Sequence, residues 1–458
     1  MTVWPEVAHV VEAYGHRLPQ PTTHHREPQH MDGKHKILAA LTGTALAAGL
    51  TGLALGPTAT TPAHSPTLRA AARPSGMSVV EWNRELITVL SDPKAQPPTI
   101  HPTRSFALLQ AAEYDAVVSV TRAGPAYLFS VSAPRGARAD AAADQAAHDV
   151  LVALYPAKRA SVDRRLSSQL SAIPNGPGKQ AGIRVGAEVA RRLISLRSHD
   201  GSSTKPPPFS PRNVAGGYRP TPPDFPTPVF TNWGSVKPFV LAKGSQFRPA
   251  PPPAVSTAEY ATALNEVKSL GRKTSTTRTP DQTAAGKFWA AAPVWNVWNQ
   301  IAQGLVTSQH ASLEKAVKVF AQLNLSLADT AIAMYDAKYT YRVWRPVTAL
   351  RLGGTHYNPR IVGDPNWTPL LPTAPDPSYP AAHGALSQAA ATTLTRFYGA
   401  QHHLVVTSKG VTRTFASFQR VATEAWLSRI WSGQHTSIDN RAGQQLGTQV
   451  ADFVAQHI

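Results

Sequence analysis

The 458-residue chain contains no cysteine, which excludes disulfide frameworks, thiolate zinc sites, iron–sulfur clusters and cysteine nucleophiles. It is poor in charge, at 16% Asp, Glu, Lys and Arg, and poorer still in acid: 27 Asp and Glu face 45 Lys and Arg, a net of +18 with histidine neutral. Too few charges for a disordered polyelectrolyte and too little acid for a solvating tail leave a folded protein. A hydrophobic fraction of 42% is enough for a large core, in one large or two ordinary domains. The positive excess favours anionic partners such as phosphate or another oxyanion. The basic residues are scattered and no nucleic-acid motif occurs, so no nucleic-acid partner is expected. Any chemistry must come from His, Arg, Lys, Ser, Asp or Glu.

Long apolar runs are also missing, with one exception. Residues 37–56 (ILAALTGTALAAGLTGLALG) follow the weakly basic MDGKHK and read as a secretory signal starting near Met31, with a membrane anchor over 37–56 as the alternative. Residues 1–30 then precede the true start, and a Thr-, Pro- and Ala-rich spacer follows the signal. The expected organisation is a mis-assigned start, signal and spacer over 1–75 and a single helical domain over 76–458, secreted and without a stable membrane partner.

Apolar positions three and four apart predict helices over 79–91, 104–121, 138–154, 178–197, 256–271, 281–303, 309–343, 384–398, 414–430 and 435–456. The expected fold is all-α, in packed helical bundles. One long excursion interrupts it: residues 205–254 hold 14 of the chain's 41 prolines, which helices and central strands do not accommodate. Its aromatics, Phe209, Tyr218, Phe225, Phe230, Trp233 and Phe239, predict that it packs against the helices, since a free linker would lack them. No internal repeat is visible.

Three segments in the last third concentrate cations and imidazoles. In KYTYRVWRP, Lys338 and Arg345 lie seven apart, two helical turns, which puts both on one helix face, and Pro346 would end that helix just after the arginine. A lysine point charge and an arginine fork together suit a tetrahedral or trigonal-bipyramidal oxyanion; a solvated basic face has the same letters. In DPSYPAAHG, two prolines hold the chain extended and His383 sits where a helix begins, facing the positive end of its dipole. A histidine beside a bound oxyanion exchanges protons near neutral pH. In SRIWSGQHTSID, Gly433 separates the Arg429 helix from a new one on which His435 and Asp439, four apart, share a face. That spacing lets the carboxylate steady the imidazole directly or through a neighbour.

In this order, these motifs resemble those of the superfamily that joins vanadium-dependent haloperoxidases with type 2 phosphatidic-acid phosphatases and bacterial acid phosphatases. WGSVKPF (233–239) and TPDQTAAGKFW (279–289), followed by Trp298 and Asn299, extend the resemblance to soluble bacterial haloperoxidase-like members, over roughly Val79 to the C-terminus. The resemblance implies an all-helical fold with an oxyanion pocket inside it. Lys338, Arg345 and Arg429 would hold the equatorial oxygens of vanadate or phosphate, together with the backbone N–H of Ala382. His435 would be the apical vanadate ligand or the nucleophile toward phosphate, His383 the acid–base group that protonates peroxide or a leaving alcohol, and Asp439 the residue that orients His435. By resemblance alone, Asp281 would partner His383 or an arginine.

Where the family's middle motif reads Pro-Ser-Gly-His, this chain reads Pro380, Ala381, Ala382, His383. Ala381 cannot donate the serine's hydrogen bond, worth about 1.5–3 kcal/mol to a charged acceptor. The implied activity is an exported vanadium-dependent haloperoxidase that oxidises halide with hydrogen peroxide. The alternatives are an acid phosphatase that acts on phosphate monoesters without a cofactor, or a non-catalytic anion-binding protein. A membrane-embedded lipid phosphatase is disfavoured because it needs several spans.

Overall fold

A central helix that is buried on every side explains the architecture. In the computed structural model, which describes residues 75–458 except Ala292 and Lys409, α9 (Leu313–Tyr341) is buried at every position from Val319 to Tyr335. Eight helices precede it: α1 (Met77–Leu90), α2 (Thr103–Thr121), α3 (Ala139–Leu154), α4 (Arg159–Ser171), α5 (Pro177–Arg197), α6 (Ala258–Leu270), α7 (Pro280–Ala291) and α8 (Val294–Ser308). After it come α10 (Pro346–Leu352), α11 (Ala382–Tyr398), a hairpin of β1 (Gln401–Ser408) and β2 (Val411–Ser417), α12 (Phe418–Trp431) and α13 (Ser437–His457). Helix α9 packs against α2, which with α3 and α5 forms one group, and against α11 and α13, which form another. Among the described residues the fold is all-α apart from that two-stranded sheet. No helix among the described residues is long and apolar enough to cross a membrane. The start, signal, anchor and spacer readings for 1–74 lie outside the described residues.

Polar side chains inside α9 are satisfied. Asn324 exchanges hydrogen bonds of 2.9 Å with Asn299 of α8, which also accepts from Asn83 of α1 at 2.8 Å. The Asp329 carboxylate accepts three consecutive backbone N–H groups of the proline-rich excursion, from Phe239, Val240 and Leu241, at 2.6 to 2.8 Å. Arg197 donates to the carbonyls of Pro238 and Lys237 and stacks 3.9 Å over the Phe239 ring. The excursion therefore packs on the helices through buried Tyr218, Trp233 and Phe239. Phe225 departs from the expectation and is 62% exposed.

Close backbone approach sets two of the helix pairs. A Cβ on Gly182 or Gly186 of α5 would come inside 3.0 Å of the carbonyl of Arg138 or Ala142, and one on Gly443 or Gly447 of α13 would do the same to Ala381 or Ala385. Only glycine lets the helices sit this close.

Several elements differ from the sequence expectations, α10 and strand β1 among them. Helix α4 was not predicted, because Val162 alone of its side chains is buried and its apolar stripe is too thin to give a period. The single helix expected over 281–303 is two, broken before Pro293, whose ring and missing N–H do not fit a helix interior. Residues 414–417 form the end of β2 instead of a helix start. The KYTYRVWRP helix ends at Tyr341, with Arg342 left-handed at φ 50°, not after Arg345.

Candidate oxyanion site

The left-handed Arg342 closes α9 at that early end, and Pro346 sets the residue before it. Its ring disfavours helical backbone at the preceding residue, so Arg345 is extended (φ −88°, ψ 153°) and Pro346 opens α10 instead of closing α9. The extended stretch 342–344 is used by its neighbours. Tyr218 N–H donates to Arg342 O at 2.7 Å, Trp344 N–H to Gly216 O at 3.0 Å, and Ser378 N–H to Val343 O at 2.8 Å. Lys338 and Arg345 thus meet from a helix end and a strand-like turn, not from one helix face, and the proline-rich excursion and the DPSYPAAHG segment are tied to the same place.

The five principal residues feel one another's charges: Lys338, Arg345 and Arg429 act on both His383 and His435. Lys338, Arg345, Arg429 and His435 are at most 3% exposed; His383 is partly exposed, at the second position of α11. Arg345 Nη1 lies 3.0 Å from His435 Nε2 and also donates to Gln434 O at 2.9 Å. Arginine has no acceptor, so Arg345 donates and Nε2 offers its lone pair; the proton of the neutral ring is then on Nδ1. Nδ1 is 3.3 Å from Ser378 Oγ, which donates to Asp439 Oδ2 at 2.8 Å, while Nδ1 and Oδ2 are 3.7 Å apart. Asp439 therefore steadies His435 through Ser378.

His435 does not share a helix face with Asp439 as expected. Helix α13 starts at Ser437 with Thr436 as its cap, so His435 lies in the loop before it. Asp439 completes a capping box, accepting from the backbone N–H and hydroxyl of Thr436 at 2.7 and 3.0 Å. Its backbone O takes the N–H of Ala381 at 2.9 Å, which joins the starts of α11 and α13. Ala382 is the first residue of α11, and it is not among the residues with positive φ. Its N–H is therefore one of the orphan donors of that helix end.

His383 Nε2 donates to Trp289 O at 3.1 Å, so a neutral ring keeps its lone pair on Nδ1. Burial, then Arg429, Arg345 and Lys338, hold the His383 imidazole well below the ordinary histidine range. Burial and the same three cations do the same to His435. Burial pulls the Lys338 ammonium down to about 8, against the attraction of Asp376. An entering anion reverses the cationic part of each shift.

Two residues of this site were not singled out by the motifs. Ser378 is one. Asp376 is the other: its Oδ1 pairs with Arg345 Nη2, its Oδ2 lies 3.4 Å from Lys338 Nζ, and its backbone O accepts from Arg345 Nε at 2.8 Å. Burial pushes its carboxyl up, but Lys338, Arg345 and His435 outweigh this and hold it below the usual carboxylate range. Both residues lie inside the DPSYPAAHG segment, which was the only signal for them. Asp281 is not part of the site; its exposed carboxylate pairs with Arg413 at 3.1 Å.

Comparison with known proteins gives a consistent picture. Residues 318–458 match the family described as the VCPO second helical-bundle domain. The vanadium chloroperoxidase of Curvularia inaequalis is 26% identical over 174 residues, 32% of this chain and 28% of that protein, so the match spans less than a third of the relative's length. A bacterial vanadium-dependent iodoperoxidase superposes with a TM-score of 0.73 at 22% identity, over 84% of this chain and 97% of that one. A bacterial vanadium-dependent chloroperoxidase in its holo form superposes with a TM-score of 0.60 at 17% identity, over 82% and 98%. These relatives and neighbours are enzymes. Residues 318–458 thus match the second helical bundle of that family, and the described chain shares the helical fold of these bacterial vanadium-dependent peroxidases.

Proposed function

We propose that the chain is an exported vanadium-dependent haloperoxidase-type enzyme, whose site is formed by Lys338, Arg345, His383, Arg429, His435 and Asp439. The observation that carries this reading is the His435 Nε2 lone pair, 3.0 Å from Arg345 Nη1 and under the electrostatic influence of Lys338 and Arg429. The donor set fits vanadate: Lys338, Arg345 and Arg429 are buried cations, and an imidazole nitrogen with a lone pair lies 3.0 Å from Arg345 Nη1. Lys338, Arg345, Arg429 and the Ala382 N–H would hold its oxygens, and His435 Nε2 its vanadium. When bound, vanadate activates hydrogen peroxide for two-electron oxidation of a halide.

The rest of the chemistry belongs to the chain. The fold fixes the cations before the anion arrives, so they do not have to move to stabilise its charge. Ser378 and Asp439 keep the proton on Nδ1 of His435 and its lone pair turned inward. His383, whose imidazole burial and the three cations hold well below the ordinary range, gains basicity as a bound anion offsets the cations, and its Nδ1 then takes up and returns a proton.

The same lone pair favours a second reading. Nε2 is also placed to attack a phosphomonoester: an N–P bond forms, the ester P–O bond breaks, and His383 delivers the proton to the leaving alcohol. One comparison separates the readings, using secreted full-chain protein of known N-terminus. Bromination of a phenol that requires both vanadate and peroxide supports the first. Release of phosphate from an aryl phosphate, inhibited by vanadate, supports the second. A chain that does neither and binds neither anion overturns both.

A further inference from the structure

The cation pair of the site already has an anion. Asp376 places one carboxylate oxygen on Arg345 Nη2 and the other 3.4 Å from Lys338 Nζ, in a position that is 6% exposed. We propose that Asp376 is a resident competitor for the oxyanion seat, so that phosphate or vanadate engages Lys338 and Arg345 only by displacing its carboxylate, and that this residue sets the affinity of the site. The proposal rests on the oxyanion reading above.

Three observations support competition over simple bracing of Arg345. First, Arg345 is braced without the carboxylate: its Nε donates to the Asp376 backbone O at 2.8 Å and its Nη1 to Gln434 O at 2.9 Å. Removing the side-chain charge leaves both bonds in place. Second, the charge balance is narrow. Lys338 and Arg345 against Asp376 leave 2 − 1 = 1 positive charge on the pair, and without Asp376 the pair carries 2. A carboxylate and an oxyanion on the same two cations repel each other strongly in a buried site. Third, a displaced carboxylate has a donor to turn to. The Tyr218 hydroxyl is fully buried without a hydrogen-bond partner and feels the charges of both Asp376 and Arg345. His101, Tyr339 and His435 also feel the Asp376 charge, and none of them carries a competing negative charge in the neutral range.

The test is calorimetric titration of the full chain at low salt with inorganic phosphate and with orthovanadate, comparing wild type, Asp376→Asn and Asp376→Glu. The amide is isosteric but uncharged, so Asp376→Asn is expected to bind both anions at least about tenfold more tightly, with Asp376→Glu close to wild type. Equal or weaker binding by Asp376→Asn overturns the proposal and leaves the oxyanion reading standing. Absence of binding to wild type and Asp376→Asn alike overturns both. If the variant does not fold, infrared difference spectra of wild type decide the question. Phosphate is expected to shift a carboxylate stretching band as Asp376 leaves its cations, and a flat carboxylate region at phosphate saturation overturns the proposal.

Discussion

Helix pairs α3/α5 and α11/α13 are built alike and end differently. In each, two glycines four apart on the later helix lie against the carbonyls of the earlier helix's cap residue and of the residue four beyond it: Gly182 and Gly186 on Arg138 and Ala142, Gly443 and Gly447 on Ala381 and Ala385. At matched positions the chemistry diverges. The second residue of α11 is His383, and that of α3 is Asp140, which pairs with Arg138 at 3.0 Å. His435 stands eight residues before Gly443, where the first pair has Pro174 before Gly182; Asp439 stands four before Gly443, where the first pair has Gly178. The same close-packed frame therefore supports one pair with two imidazoles at its start and one with none. The difference lies in a few side chains at the helix starts and in the segments that bring cations to them.

The sharpest way to break this comparison is at His435. His435→Ala is expected to lower turnover of whichever oxyanion reaction the chain catalyses by about a thousandfold or more, with the thermal midpoint little changed, whereas Pro174→Ala leaves turnover intact. Steady-state assays of the two variants check it.

The glycines come next. Gly447→Ala and Gly186→Ala each force a Cβ against a carbonyl and are expected to cost about 1–3 kcal/mol of stability, read from denaturant unfolding. Only Gly447→Ala should also weaken phosphate binding, because α11 carries His383 and α13 follows directly on His435.

Two carboxylates test the frame by pH. Asp115 accepts the N–H groups of Tyr127, Leu128 and Phe129 as Asp329 accepts those of 239–241, and burial pushes both up to about 6 against those hydrogen bonds. A carboxyl whose folded value is raised above its unfolded value near 3.8 binds its proton more tightly when folded. The stability it contributes is complete below about pH 4 and is lost as pH rises through about 6. The slope of unfolding free energy against pH in that window should flatten in Asp115→Asn and in Asp329→Asn by similar amounts, of order 2 kcal/mol in total for each.

The smallest effect is expected at Ser378. Ser378→Ala removes the hydroxyl between His435 Nδ1 and Asp439, which is worth about 1–3 kcal/mol, and so lowers turnover about tenfold. Ser378→Thr restores it, while a purely structural role would show as a lower thermal midpoint without that rescue.

Much of this was legible in the chain. Helices with a full apolar stripe, such as α5 and α11, follow from periodicity, and the early start of α11 from the two prolines before it. Lys338, Arg345, His383, Arg429 and His435 could be singled out because their motif order is specific. Their backbone setting was not. Two helical turns between Lys338 and Arg345 and one between His435 and Asp439 are sound arithmetic for a continuous helix, but the left-handed Arg342 and the Thr436 cap interrupt both. The glycine-matched pairs escaped notice because four shared contacts in about twenty residues leave no repeat in the letters.

Composition and motif letters were sufficient for the class of fold, the absence of thiol chemistry and the set of cations and imidazoles available for an anion, because these depend on residue type and local spacing. They did not reveal that Asp376 occupies the cations, that Ser378 links Asp439 to His435, or which imidazole nitrogen carries the proton. Those facts depend on which donor meets which acceptor across 31 to 90 positions of chain. Such meetings exist only once α9, α11 and α13 have packed and the proline-rich excursion has been pinned beside them.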